Sequence, residues 1–137
     1  MKEIQTITPE KFAPYGTVIA FPEESKESFL IVEREENAPW RLAVFRYSNR
    51  DVSVIEAHLD SKETFEPVSG ITVLIVAEKE SPEDYQAFIL DKPVCLGKGV
   101  WHQVLSLSEQ AQVKITENLE VGAVYHHFEK PIKIQVG

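Results

Sequence analysis

Glu56 and His58 stand two residues apart in the run Asp51 to His58, and two residues is the repeat of a β-strand. Their side chains therefore share a face with Val52 and Val54, while Asp51, Ser53, Ile55 and Ala57 take the other. A face bearing two valines turns toward a core and takes a carboxylate and an imidazole with it. Burying those groups without partners is costly, so the pattern predicts the mouth of a site rather than a dead interior. A carboxylate beside an imidazole is material for proton transfer or for holding a divalent cation. His102 is a third candidate, because Gly97 and Gly99 let its turn approach closely and Trp101 packs beside it. The plainer alternatives are a satisfied polar network around Glu56 and His58, and a structural role for His102.

The elements that must position these groups are short strands. Asp51 to His58 turns through a polar patch into the apolar run Ile71 to Ala77, which reads as a hairpin. Before it, Thr8 to Gly16 forms a short capped helical turn with Thr8 as N-cap and Pro9 at the first helical position. Thr17 to Phe21 is a strand, and Pro22 to Asn37 is an acidic exposed loop around a brief strand at Phe29 to Val32. Trp40 to Tyr47 alternates with apolar residues on both faces. After the hairpin come strands at Tyr85 to Leu90, Val94 to Leu96, Gln103 to Leu107, Ala111 to Thr116 and within Val121 to His127. Turn signals at roughly 8 to 12 residue spacing with no long helix predict an all-β sandwich or barrel.

The chain has 137 residues, which predicts a single domain, 1–137. Its 14 Lys and Arg against 22 Asp and Glu give a formal charge of −8, so nucleic acid and membrane surfaces are not expected as partners. A small anionic substrate would need a local basic group. Cys95 is the sole cysteine, Met1 to Gln5 lacks the apolar core of a signal peptide, and no apolar run approaches the ~20 residues of a membrane span. A cytoplasmic protein acting on a small molecule is the expectation. The N-terminal segment Met1 to Phe21 offers a strand to a neighbour, which predicts a homodimer.

Two stretches resemble the cupin barrels. Glu56-x-His58-x4-Glu63-x6-Gly70 keeps the spacing of the first cupin motif, with Glu in the first His position and Arg50 where a leading Gly would stand. Asp91-x5-Gly97-x-Gly99-x2-His102-x3-Ser106 keeps that of the second with several letters changed. The resemblance implies a double-stranded β-helix, or jelly roll, in which Glu56, His58, Glu63 and His102 share one interior pocket and hold a divalent metal such as Ni, Mn, Fe or Zn. More narrowly, Thr8 to Ile19, Glu56-Ala57-His58 leading to Phe65-Glu66-Pro67, and Gly99-Val100-Trp101-His102 resemble the ureidoglycolate lyase family. That implies a dimeric carbon–nitrogen lyase giving glyoxylate and urea from ureidoglycolate in allantoin breakdown, with His102 and Glu63 as catalytic residues. The chain departs from the family in being short and in having Gln103 after His102.

For the substrate carboxylate the candidates are Arg41, Arg46, Arg50 and Lys98. Arg46 shares a face with Trp40, Leu42 and Val44 and is expected to point inward; Lys98 lies in the motif next to His102, and Trp101 completes the substrate-binding set. Tyr125-His126-His127 is not read as a metal pair, because neighbours on a strand face opposite ways. Cys95 reads as a buried inert thiol, and Ser106 and Ser108 carry no nucleophile motif. Two other functions fit the same barrel: a metal-dependent isomerase or dioxygenase on a small polar metabolite, and a non-catalytic small-ligand binder.

Overall fold

The computed structural model describes residues 2–133. It contains β1 (Ile4–Gln5), α1 (Pro9–Phe12), β2 (Gly16–Val18), β3 (Trp40–Tyr47), β4 (Asp51–Ala57), β5 (Glu63–Ser69), β6 (Thr72–Ala77), β7 (Gln86–Ile89), β8 (Val94–Leu96), β9 (Trp101–Ser106), β10 (Ala111–Asn118) and β11 (Val124–Lys133). One sheet runs β1-β7-β6-β9-β4-β11 and the other β2-β8-β5-β10-β3. This is the all-β jelly-roll arrangement that the cupin spacing implies. No helix among the described residues is long and apolar enough to cross a membrane.

Between the sheets, Leu74 and Val76 of β6, Val104 of β9, Phe65 of β5, Val94 and Leu96 of β8, and Val113 and Ile115 of β10 form the main core. One end is plugged by the helical turn. Thr8 caps it through its hydroxyl on the Lys11 amide, and Phe12 stacks edge-on against Tyr15 and Phe88 with centroids 5.8 and 5.3 Å away. A second apolar cluster of Val52, Ile55, Val73, Ile75, Leu105 and Ile132 covers the far side of the six-stranded sheet. Strand β6 is therefore buried along its whole length, apolar on both faces.

Three expectations are corrected. The stretch between β4 and β6 is not a hairpin turn but holds β5, which belongs to the other sheet, and β9 separates β4 from β6. Its alternation is intact, with Glu63 and Phe65 buried and Thr64 and Glu66 half-buried, so two glutamates and Pro67 disguised a strand as a turn. The Phe29 to Val32 segment forms no strand and lies on the surface. On β4 the two valines do not form one buried face: Val52 joins Ile55 in the second cluster and Val54 is only half-buried, while Ile55 and Ala57 are buried. The turn from β5 into β6 requires Gly70, at φ +76°, where an added Cβ would lie 2.3 Å from the Gln110 carbonyl oxygen.

Candidate active site

Register places the site. Across the six-stranded sheet Val76 pairs with His102, His102 with Glu56 and Glu56 with Tyr125, so these side chains form one row on the inner face. Across the five-stranded sheet Leu96 pairs with Glu63, Glu63 with Glu117 and Glu117 with Arg41. The rows face each other, and they close on contact between Glu63 and His102, 2.8 Å apart. Apolar Val76 and Leu96 seal one end, whereas Tyr125 and Arg41 stand on the edge strands at the other, where the sandwich is open.

Glu56, His58, Glu63 and His102 come together at this point. His58 Nε2 lies 3.2 Å from Glu63 Oε1 and 3.9 Å from Glu56 Oε1, and His102 Nε2 lies 3.7 Å from Glu56 Oε1. Both imidazoles are tied from behind: His58 Nδ1 donates to the Gly122 carbonyl at 2.9 Å and His102 Nδ1 to the Val100 carbonyl at 3.0 Å. A carbonyl only accepts, so Nδ1 carries the hydrogen and Nε2 is turned to the carboxylates. The His102–Glu63 contact has the length of a hydrogen bond without its alignment, which leaves Glu63 Oε1 and His102 Nε2 buried and without a hydrogen-bond partner among the described residues. Buried polar atoms in that condition mark a place where a ligand or ion completes the set.

Electrostatics follows from the packing. Burial opposes a charge on His58, but Glu63 outweighs it, with help from the Gly122 carbonyl and Glu56, and raises its pKa to about 9. Burial would likewise raise Glu63, yet His102 and then His58 hold it at about 2. His102 is raised too, its burial overcome by Glu63. The sign for folding follows from these directions. The His58 contribution is complete below about pH 6.5 and is lost as pH rises through about 9, and that of Glu63 is complete above about pH 4.5 and lost as pH falls through about 2. The cation-free protein is therefore expected to be most stable between those limits and to weaken toward alkaline pH. Urea midpoints at about pH 5.5 and about pH 9 check this, and a higher midpoint at the alkaline end would contradict it.

Of the residues expected to bind substrate, Arg46 and Trp101 do not face the two rows, and Lys98 is ion-paired. Arg46 is exposed, on the outer face of β3 with Trp40, Leu42 and Val44, because Ala43, Phe45 and Tyr47 take the inner side. Tyr47 fixes that parity by bonding Thr72 of the opposite sheet. Lys98 is held by Glu35 at 2.8 Å. Trp101 precedes His102 on the same strand and must face outward; its Nε1 donates to the Lys79 carbonyl at 3.0 Å and its ring packs on the second apolar cluster. His102 itself lies within β9 rather than on a turn. His126 faces away from the site and contacts Glu83. Cys95 is buried, and burial pushes its thiol up to about 11.

Glu117 is a site residue that the sequence reading passed over. One of its carboxylate oxygens lies within 4.8 Å of a ring nitrogen of His58 and a carboxylate oxygen of Glu63. The signal was present, since Val113 and Ile115 face inward and two further residues along the strand reach Glu117.

The family model described as ureidoglycolate lyase matches residues 33–135, a span that contains every member of both rows. No curated protein matches the chain.

Proposed function

The chain belongs to the ureidoglycolate lyase family, within the cupin superfamily, and we propose that it cleaves ureidoglycolate to glyoxylate and urea. The observation that supports this reading is the ionised carboxylate of Glu63 against the buried imidazole of His102, 2.8 Å apart. Ureidoglycolate carries a hydroxyl and a urea nitrogen on one carbon, so its C–N bond breaks when the hydroxyl loses a proton and the nitrogen gains one. Glu63 takes the hydroxyl proton, the oxygen lone pair closes the C=O of glyoxylate, and the C–N pair leaves with the nitrogen, which His102 protonates. Glu63 then passes its proton to His102 across their contact, and the site returns to its starting state.

The same residues fit a divalent cation. Glu56, His58 and His102 offer ligand atoms within 4.8 Å of one another, as do His58, Glu63 and Glu117, donor sets suited to Mn, Fe, Ni or Zn, and Glu63 Oε1 and His102 Nε2 lack a hydrogen-bond partner among the described residues. A cation bound there would supply polarisation of the hydroxyl oxygen. It would also occupy the His102 Nε2 that gives the proton, so the metal content assigns that atom its task. Elemental analysis of protein purified without chelator, beside urea release from racemic ureidoglycolate, tests the proposal. Equal yields of urea and glyoxylate support it; no urea with or without added Mn, Fe, Ni or Zn overturns it.

We also propose that the protein is a homodimer, and that the outer face of β3 contributes to its interface. The N-terminal strands β1 and β2 each end a sheet and pair on one side only, with β7 and β8, so the edges the sequence suggested are present too. Strand β3 ends its sheet and exposes Trp40, Leu42 and Val44, at 67%, 58% and 77%, on its outer face. Sedimentation is expected to show a dimer that Val44→Glu converts to monomer, and a wild-type monomer at all practical concentrations would refute this.

A further inference from the structure

We propose that Arg41, held by Glu117, binds the substrate carboxylate at the mouth of the site and sets its preference for a small anion; this rests on the lyase reading for the identity of that anion. Three carboxylates, those of Glu56, Glu63 and Glu117, line the inner rows of a chain whose formal charge is −8. His58 and His102 are engaged with Glu63 at the inner end, so a cation fixed at the mouth would favour the entry of an anion past Glu56 and Glu117. The other cations singled out in the sequence are committed elsewhere: Arg46 is exposed on the outer face, Arg50 donates to the Leu107 carbonyl and Lys98 is paired with Glu35. Lys62 and Lys114 are paired with Glu33 and Glu66.

Arg41 is placed differently. It is the residue of β3 in register with Glu117, and its Nε and Nη2 both donate to Glu117 Oε2, at 3.0 and 2.6 Å. The Glu117 side chain is 8% exposed and reaches the His58–Glu63 cluster, whereas the Arg41 side chain is 47% exposed. One edge of the guanidinium is thus anchored inside the site. Among the described residues nothing accepts from Nη1, so part of the donor fork is presented at the open edge of the sandwich, opposite the Tyr125 row. A planar guanidinium fixed by one carboxylate and offering N–H groups to a second is suited to a small carboxylate ligand. An ordinary cross-strand ion pair would have the same two hydrogen bonds but no effect on which ligands bind.

The experiment compares wild type, Arg41→Gln, Arg41→Lys and the outer-face control Arg46→Gln. It reads steady-state kinetics on ureidoglycolate and the affinity for two probes, glycolate and its neutral amide glycolamide. Arg41→Gln is expected to raise KM and weaken glycolate about ten- to a hundredfold, with kcat changed far less and glycolamide binding unchanged. Arg41→Lys keeps the charge without the fork and should recover part of the loss; Arg46→Gln should match wild type. An Arg41→Gln protein that binds glycolate as wild type does, or loses glycolate and glycolamide equally, overturns the proposal. If wild type releases no urea but its glycolate affinity falls in Arg41→Gln, the lyase reading fails and the role of Arg41 stands. If urea release holds and KM is unmoved, the reverse is true, and a wild type that neither turns over nor binds glycolate removes both.

Discussion

His102→Gln is expected to lower urea release by about two to four orders of magnitude, the scale of a lost proton donor. At about 1.4 kcal/mol per decade that is roughly 3 to 5 kcal/mol of transition-state stabilisation. Glutamine is the better probe because His102 is 3% exposed near the start of β9, packed edge-on near Phe65 with centroids 5.5 Å apart. Alanine there would open a cavity and leave Glu63 facing only His58, so His102→Ala should lose stability along with turnover. If His102 transfers the proton, the loss falls on kcat with the metal content unchanged. If it holds a cation, the stoichiometry falls with the rate. A His102→Gln protein with wild-type turnover and wild-type metal content would remove both roles.

The sequence showed where chemistry could lie more clearly than what surrounds it. Glu56 and His58 could be placed on one face because the strand repeat is local, and His102 lies directly across from Glu56. The N-terminal turn was legible for the same reason, since Thr8 and Pro9 act on the residues immediately after them. Strand β3 was not, because it is apolar on both faces and alternation alone cannot say which side is inner. The choice is made by contacts far along the chain, Tyr47 with Thr72 and Arg41 with Glu117, so the reading favoured Arg46 over Arg41. Lys98 was lost to Glu35, a partner in a loop with no local signal. Trp101 is a different kind of miss: the rule that separated His126 from His127 also separates Trp101 from His102. Gly97 and Gly99 point to a turn at this place, whereas the strand already begins at Trp101.

The position of Glu63 explains why two imidazoles that face each other in a buried place are both raised. Their ring centroids are 5.0 Å apart, and burial lowers both while His58 lowers His102, so the raised direction comes chiefly from the carboxylate between them. The carboxylate therefore has two separable tasks, to hold protons on the imidazoles and to accept one from the substrate.

Glu63→Gln separates these tasks, because it keeps the shape of the side chain and removes its charge. Without that charge only the Gly122 carbonyl and Glu56 still oppose burial at His58, and its pKa should fall well below about 9. NMR titration of the ring protons in cation-free protein reads this directly. The alkaline loss of stability should shrink with it, since that loss arises from a raised His58 that the variant no longer has. Turnover should drop by about two to four orders of magnitude, as for His102→Gln. If the two residues pass one proton between them, the double variant should be little worse than either single one, because removing either already breaks the relay. Losses that multiply in the double variant would show that Glu63 and His102 act independently, and a His58 that still titrates near 9 in Glu63→Gln would show that the carboxylate is not what charges the site.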